Sequence, residues 1–198
     1  ASLGLMVLGH AFSRLAFGYG ASSDTWPSIA WTLVALAVGL VPYTVQYLYL
    51  RGFYALEDTR TPFFLNVVEN GINVLGIVGL VIVGSASSTT FALAYSVAYV
   101  LAAVLAVWRF DRRLRELDPD VVRPDLSPLR SMTVAALGMG VVVWLIRQAL
   151  PDDAGAGAVA SVALGVVLGG LTYLGLGIML RVPEINAVWA GARRRFLR

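Results

Sequence analysis

Apolar and polar positions alternate along this chain as long greasy runs separated by short polar connectors. About 20 consecutive apolar residues make one helical crossing of a bilayer's hydrocarbon core. Six runs fit or approach that template: 1–17, 28–50, 63–83, 91–108, 132–150 and 156–180. The connectors Gly18–Pro27, Gly84–Thr90, Arg109–Arg130 and Pro151–Gly155 carry the Gly, Pro, Ser and Asp of turns. The stretch Val41–Asn73 organises the rest, as helix, tight polar turn, helix. Its first run ends at Arg51, Glu57, Asp58 and Arg60 form the turn, and Pro62 opens the next run. Proline is tolerated in a first helical turn, where its missing N–H would be unpaired anyway. Thr59 or Thr61 is predicted to cap that turn. Gly39 and Pro42 are predicted bend points in the second run. A segment in lipid must pair its own backbone groups, and no run shows the alternating polarity of a barrel strand. The predicted fold is therefore all-α, a polytopic transmembrane bundle of six membrane spans.

Composition strengthens that picture. Hydrophobic residues make up 58% and charged residues 14%, with mean hydropathy +0.76, against roughly 45–50% and about 25% in soluble domains. The first residues, Ala1–Leu8, already read as the inside of an apolar helix with no basic region before them. They are not a signal peptide, and the chain is expected to be a portion of a longer membrane protein. All fifteen basic residues are arginine, and with six alternating spans thirteen fall on one side. Only Arg14 and Arg147 fall on the other. Basic residues in short loops mark the cytoplasmic face, which predicts a cytoplasmic C-terminus. The net charge of +3 thus answers to topology and not to nucleic acid. The basic tail 181–198 is a topology anchor or a contact for anionic membrane lipid. Arg109–Arg130 is predicted to extend the fourth helix and then lie along the headgroups. Gly165 and Gly169 form a small-xxx-small pair of the kind that lets helices approach closely.

Chemistry is sparse. There is no cysteine, a single histidine (His10, packed or at an interface), and no constellation of nucleophile, base or metal ligands. Neither a catalytic site nor a firm metal site is expected. The physical anomaly is in the third run, where Asn66, Glu69, Asn70 and Asn73 fall at i, i+3, i+4 and i+7 on one helix face. A carboxylate in a span usually faces the bundle interior or a wet cavity. Three amides beside it can share a proton network or help ligate a small cation. The same residues equally suit an interhelical polar zipper, with Glu69 partly wetted by the interface. Arg51 and Arg60 have the geometry to hold phosphate, or serve as topology markers, with Asp58 pairing to either. Arg14 and Arg147 snorkel to headgroups, or Arg14 contacts an anionic group from the outer side.

At the turn the chain resembles a known family. Arg51-Gly52-Phe53-Tyr54-Ala55-Leu56-Glu57-Asp58-Thr59-Arg60-Thr61-Pro62 is similar to the R-x-F-Y-A-x-x-D-T-R-T-P signature of the MurJ (MviN) lipid II flippases. Gly39-Leu40-Val41-Pro42 resembles the helix preceding it, and Arg14-Leu15-Ala16-Phe17-Gly18-Tyr19-Gly20 resembles the family's R-L-L-F-x-x-G segment. The resemblance implies helices nine to fourteen of a fourteen-helix transporter of the multidrug/oligosaccharidyl-lipid/polysaccharide exporter superfamily. It implies a multi-pass protein of the bacterial plasma (inner) membrane that flips undecaprenyl-linked peptidoglycan precursor by alternating access. The partner would be lipid II or a related polyprenyl-pyrophosphate lipid, with 132–150 and 156–180 walling a groove for its tail. A coupling cation, Na+ or H+, would fall to Glu69 and its asparagines, with no other cofactor. The resemblance carries over no central-cavity arginine. Rival readings keep the fold with another cargo, a polysaccharide-lipid or a drug, or make the chain a scaffold for cell-wall synthesis proteins.

Overall fold

The computed structural model describes residues 2–20, 23–117, 127–150 and 156–180. All regular structure among them is helical: α1 (Ser2–Phe17), α2 (Trp26–Ala55), α3 (Arg60–Ile82), α4 (Ser88–Leu117), α5 (Ser127–Ala149) and α6 (Ala156–Met179). Five of these, α2 to α6, contain stretches long and apolar enough to cross a membrane, and α1 is a shorter apolar helix of 16 residues. The basic tail 181–198, Arg123 and the acidic pair Asp152–Asp153 lie outside the described residues. The chain divides into two compact units, one built on α2, α3 and α4, the other on α1, α5 and α6.

In the first unit α2 and α4 run side by side in the same direction. Thr32 meets Thr89, Ala35 meets Ser96, Tyr43 meets Tyr99 and Phe53 meets Phe110. The helix between them, α3, packs on α4 in the opposite sense, with Glu69 near Tyr99 and Gly76 facing Ala94. The seam is built from small residues: Ala30, Ala35, Ala37 and Gly39 on α2, and Ala92, Ser96, Ala98, Ala102, Ala103 and Ala106 on α4 are buried. Large apolar residues are turned outward, Leu75, Ile82 and Val83 among them. Water gives no reason to bury alanine and expose leucine. Lipid does, because apolar tails solvate large side chains while close backbone approach holds the helices together. Gly39 is one of these approach points. A β-carbon there would lie 2.9 Å from the Ser96 Cα, and α2 continues helical through Pro42. At that level Ser96 Oγ donates to the Ala35 carbonyl at 2.7 Å.

The α2–α3 turn is built by local hydrogen bonds. Glu57 takes a left-handed φ of 58°, and the N–H groups of Glu57 and Asp58 donate back to the carbonyls of Tyr54 and Phe53. This is a Schellman close with glutamate in the position that usually holds glycine. Glu57→Gly is accordingly expected to stabilise the protein by about 1 kcal/mol, measured by thermal unfolding in detergent. The α3 start departs from the expected threonine cap: Thr59 makes no capping bond. Asp58 does that work, its Oδ1 accepting the N–H groups of Arg60 and Thr61, both at 3.0 Å, and its Oδ2 accepting the Thr61 hydroxyl at 2.6 Å. Asp58 lies just before the helix, so its two carboxylate oxygens can face the first free amides.

The second unit packs α5 on α6. A β-carbon on Gly165 would press on Leu8 of α1, and one on Gly169 on Val143 of α5, so each glycine of the small-xxx-small pair admits a different neighbour. Arg147 Nη1 donates to the Val7 carbonyl of α1 at 3.3 Å. Arg14 is half-buried in the last turn of α1.

Candidate functional site

Within the first unit, the faces of α2, α3 and α4 that are not sealed by small residues enclose a pocket of about 490 Å³. Its floor is ionisable. Glu69 of α3 is 8% exposed and Gln46 of α2 is 2% exposed, and Gln46 Nε2 donates to Glu69 Oε2 at 2.6 Å. The remaining polar atom of that amide, Gln46 Oε1, is buried without a hydrogen-bond partner among the described residues. Buried acceptors are rarely left this way, because an unmade bond costs about 1–3 kcal/mol.

Tyrosines make the walls. Tyr43 stacks on Tyr47, Tyr99 meets Tyr43 edge-on at 5.1 Å, and the Tyr95 and Tyr99 hydroxyls are 2.9 Å apart. Arg51 closes one rim: its guanidinium lies 4.6 Å from the centre of the Tyr47 ring and donates to the Tyr47 hydroxyl at 2.9 Å. The pocket therefore joins a buried carboxylate, an orphan amide oxygen, several phenol hydroxyls and one cation. It suits a small cation or proton at the floor and an anionic or hydroxylated group at the rim.

The residues singled out by sequence separate into three groups. Asn66, Glu69 and Asn70 line the pocket with Arg51 and Tyr54, whereas Asn73 is buried one turn beyond and does not line it. Asn70 Nδ2 donates to the Asn66 carbonyl at 2.8 Å and not to Glu69. Phe53 and Pro62 are buried, Phe53 in a cluster with Leu65 and Ala106 and with Phe110 edge-on at 5.2 Å. Asp58, Thr59, Arg60 and Thr61 shape the turn, and Arg60 is exposed. Asp58 pairs with neither Arg51 nor Arg60 through their side chains; it takes backbone amides. Its carboxyl is held below the usual 3.8, first by the Thr61 hydroxyl and then by the Thr61 amide. The capping contribution is thus complete above that value and fades as pH falls through the lowered one. Asp58→Ala is expected to cost about 1 kcal/mol at neutral pH, a difference that shrinks in acid.

The key partner that sequence reasoning passed over is Gln46, together with Tyr43, Tyr47, Tyr95 and Tyr99. The signal was present: Gln46 is the one side-chain amide in the α2 run, and the tyrosines recur at helical spacing.

A family model described as lipid II flippase MurJ matches residues 1–167. This chain belongs to the MurJ family. A relative, the probable lipid II flippase MurJ of Thermotoga maritima, is 24% identical over 192 residues, which is 94% of this chain. The chain spans 36% of that relative's length. The match explains why the turn signature is dense with structural roles. Phe53 fills the core, Asp58 caps α3 with the Thr61 hydroxyl held against it, Pro62 packs in the first turn of α3, and Arg51 and Tyr54 face the pocket.

Proposed function

We propose that this chain forms part of a transporter, not an enzyme, that moves lipid II across the bacterial inner membrane by alternating access, with its C-terminus in the cytoplasm. The family match over residues 1–167 carries the reading. Two features support it: an outward-facing large-apolar surface suited to lipid, and an ionisable pocket inside a span-rich unit. The test uses the full-length protein in a strain depleted of its own flippase. Restored access of an externally added lipid II-cleaving enzyme to its substrate is the expected result. Restoration of a surface polysaccharide without lipid II exposure would move the cargo to another polyprenyl lipid. Rescue of growth with neither would leave a scaffold role.

We further assign coupling to Glu69, with Na+ or H+ as the cation. Among the described residues no group of three or more His, Cys, Asp or Glu could hold a metal ion. A cation here would therefore rest on one carboxylate and neutral oxygens, and the unpartnered Gln46 Oε1 fits that donor set. Occupancy would bias the inward–outward equilibrium only through different affinities in the two states.

A further inference from the structure

A second cavity, of about 330 Å³, opens at the other side of the α2–α3 turn, between Asp58 and Thr61 and the last turns of α4. Arg109, Arg112 and Arg113 line it together with Trp108 and Glu116. We propose that this cleft binds the phosphate of an anionic phospholipid headgroup.

Its charge is not internally cancelled. Glu116 is shared, with Arg112 Nε at 3.4 Å and Arg113 Nη1 at 3.3 Å. Asp58 holds the amides and hydroxyl that start α3 and also feels the charge of Arg113, so three guanidinium groups face two carboxylates and a positive charge is left over. Arg109 makes no ion pair among the described residues and rests against the Trp108 ring, 5.6 Å from its centre, with Arg112 at 5.9 Å. Guanidinium groups fanned around an indole present several N–H donors to one tetrahedral anion.

The depth of the cleft chooses the source of that anion. From Ser88 to Trp108 α4 is free of charged residues, and from Arg109 to Leu117 it is dense with them. At 1.5 Å per residue the uncharged part is about 31 Å long, close to the roughly 30 Å hydrocarbon core. Trp108 and the arginines therefore emerge at headgroup level, where tryptophan is favoured and lipid phosphate is concentrated. Binding there requires α4 to span the bilayer and is independent of the cargo.

The test places the full-length protein, with Trp108 as its single tryptophan, in phosphatidylcholine nanodiscs. Brominated phosphatidylglycerol and brominated phosphatidylcholine are compared as quenchers at equal mole fraction. Phosphatidylglycerol is expected to be enriched at Trp108 by about fivefold for each guanidinium engaged. Arg109→Gln with Arg112→Gln should erase the preference. Glu116→Gln, which releases Arg112 and Arg113, should raise it, a gain that damage to the fold would not produce. A single-Trp31 protein, probing the opposite end of the unit, should show none. Equal quenching by the two lipids, equal enrichment at both tryptophans, or a preference that survives loss of both arginines would overturn the proposal. So would displacement of the brominated phosphatidylglycerol by free glycerol phosphate, which would make the ligand a soluble phosphate ester.

Discussion

Glu69→Gln is expected to slow cation-driven transport sharply while leaving the bundle as stable as before, or more so. In the native pocket Gln46 Nε2 donates to Glu69, and Gln46 Oε1 has nothing to accept. A glutamine at position 69 keeps an acceptor for Nε2 and adds an N–H for the orphan oxygen, so the fold gains a bond as the charge disappears. If Glu69 is the coupling group, lipid II translocation under an imposed Na+ or H+ gradient should fall roughly 5–150-fold, the usual span of coupling free energies. Glu69→Ala separates the two roles: it leaves both polar atoms of a buried amide unpaired and should destabilise by about 1–3 kcal/mol. Reconstituted transport and thermal unfolding of the two full-length variants supply the measurements. Gradient-driven transport at the native rate in Glu69→Gln would show that this carboxylate is structural glue.

Gly39→Ala is expected to have the largest effect on stability of any single methyl added to the described residues of the α2–α4 unit. The new carbon would sit 2.9 Å from the Ser96 Cα and 2.6 Å from its Oγ, and backbone cannot swing aside as the end of a side chain can. Either the helices separate or the Ser96–Ala35 bond breaks, and overpacking of this kind costs about 1–3 kcal/mol. Gly71→Ala is the matched control, because nothing lies within 4 Å of the carbon it adds. There the gain in helix propensity should leave the protein unchanged or up to about 1 kcal/mol more stable. Unfolding in mixed micelles reads both, and equal stability of the two variants would remove Gly39 from the packing seam.

Solvent and periodicity set the part of this protein that the sequence alone determined. Runs of about 20 apolar residues allow no answer but helices in lipid, so the all-α class and the approximate segments were legible. The signature turn was legible as well, because Asp58 to Pro62 act within a few residues of one another. Tertiary structure decided whatever depends on neighbours far along the chain. Burial split Asn73 from Asn66 and Asn70, although all three share a helix side. The partner of Glu69 came from 23 residues upstream, on another helix. Gly39 acquired its meaning from Ser96, and Asp58 its place beside Arg109, Arg112 and Arg113. In lipid the hydrophobic effect does not rank one apolar helix face above another. Side-chain shape and a few buried hydrogen bonds settle which faces meet, and one chain read in order does not encode that in its local pattern.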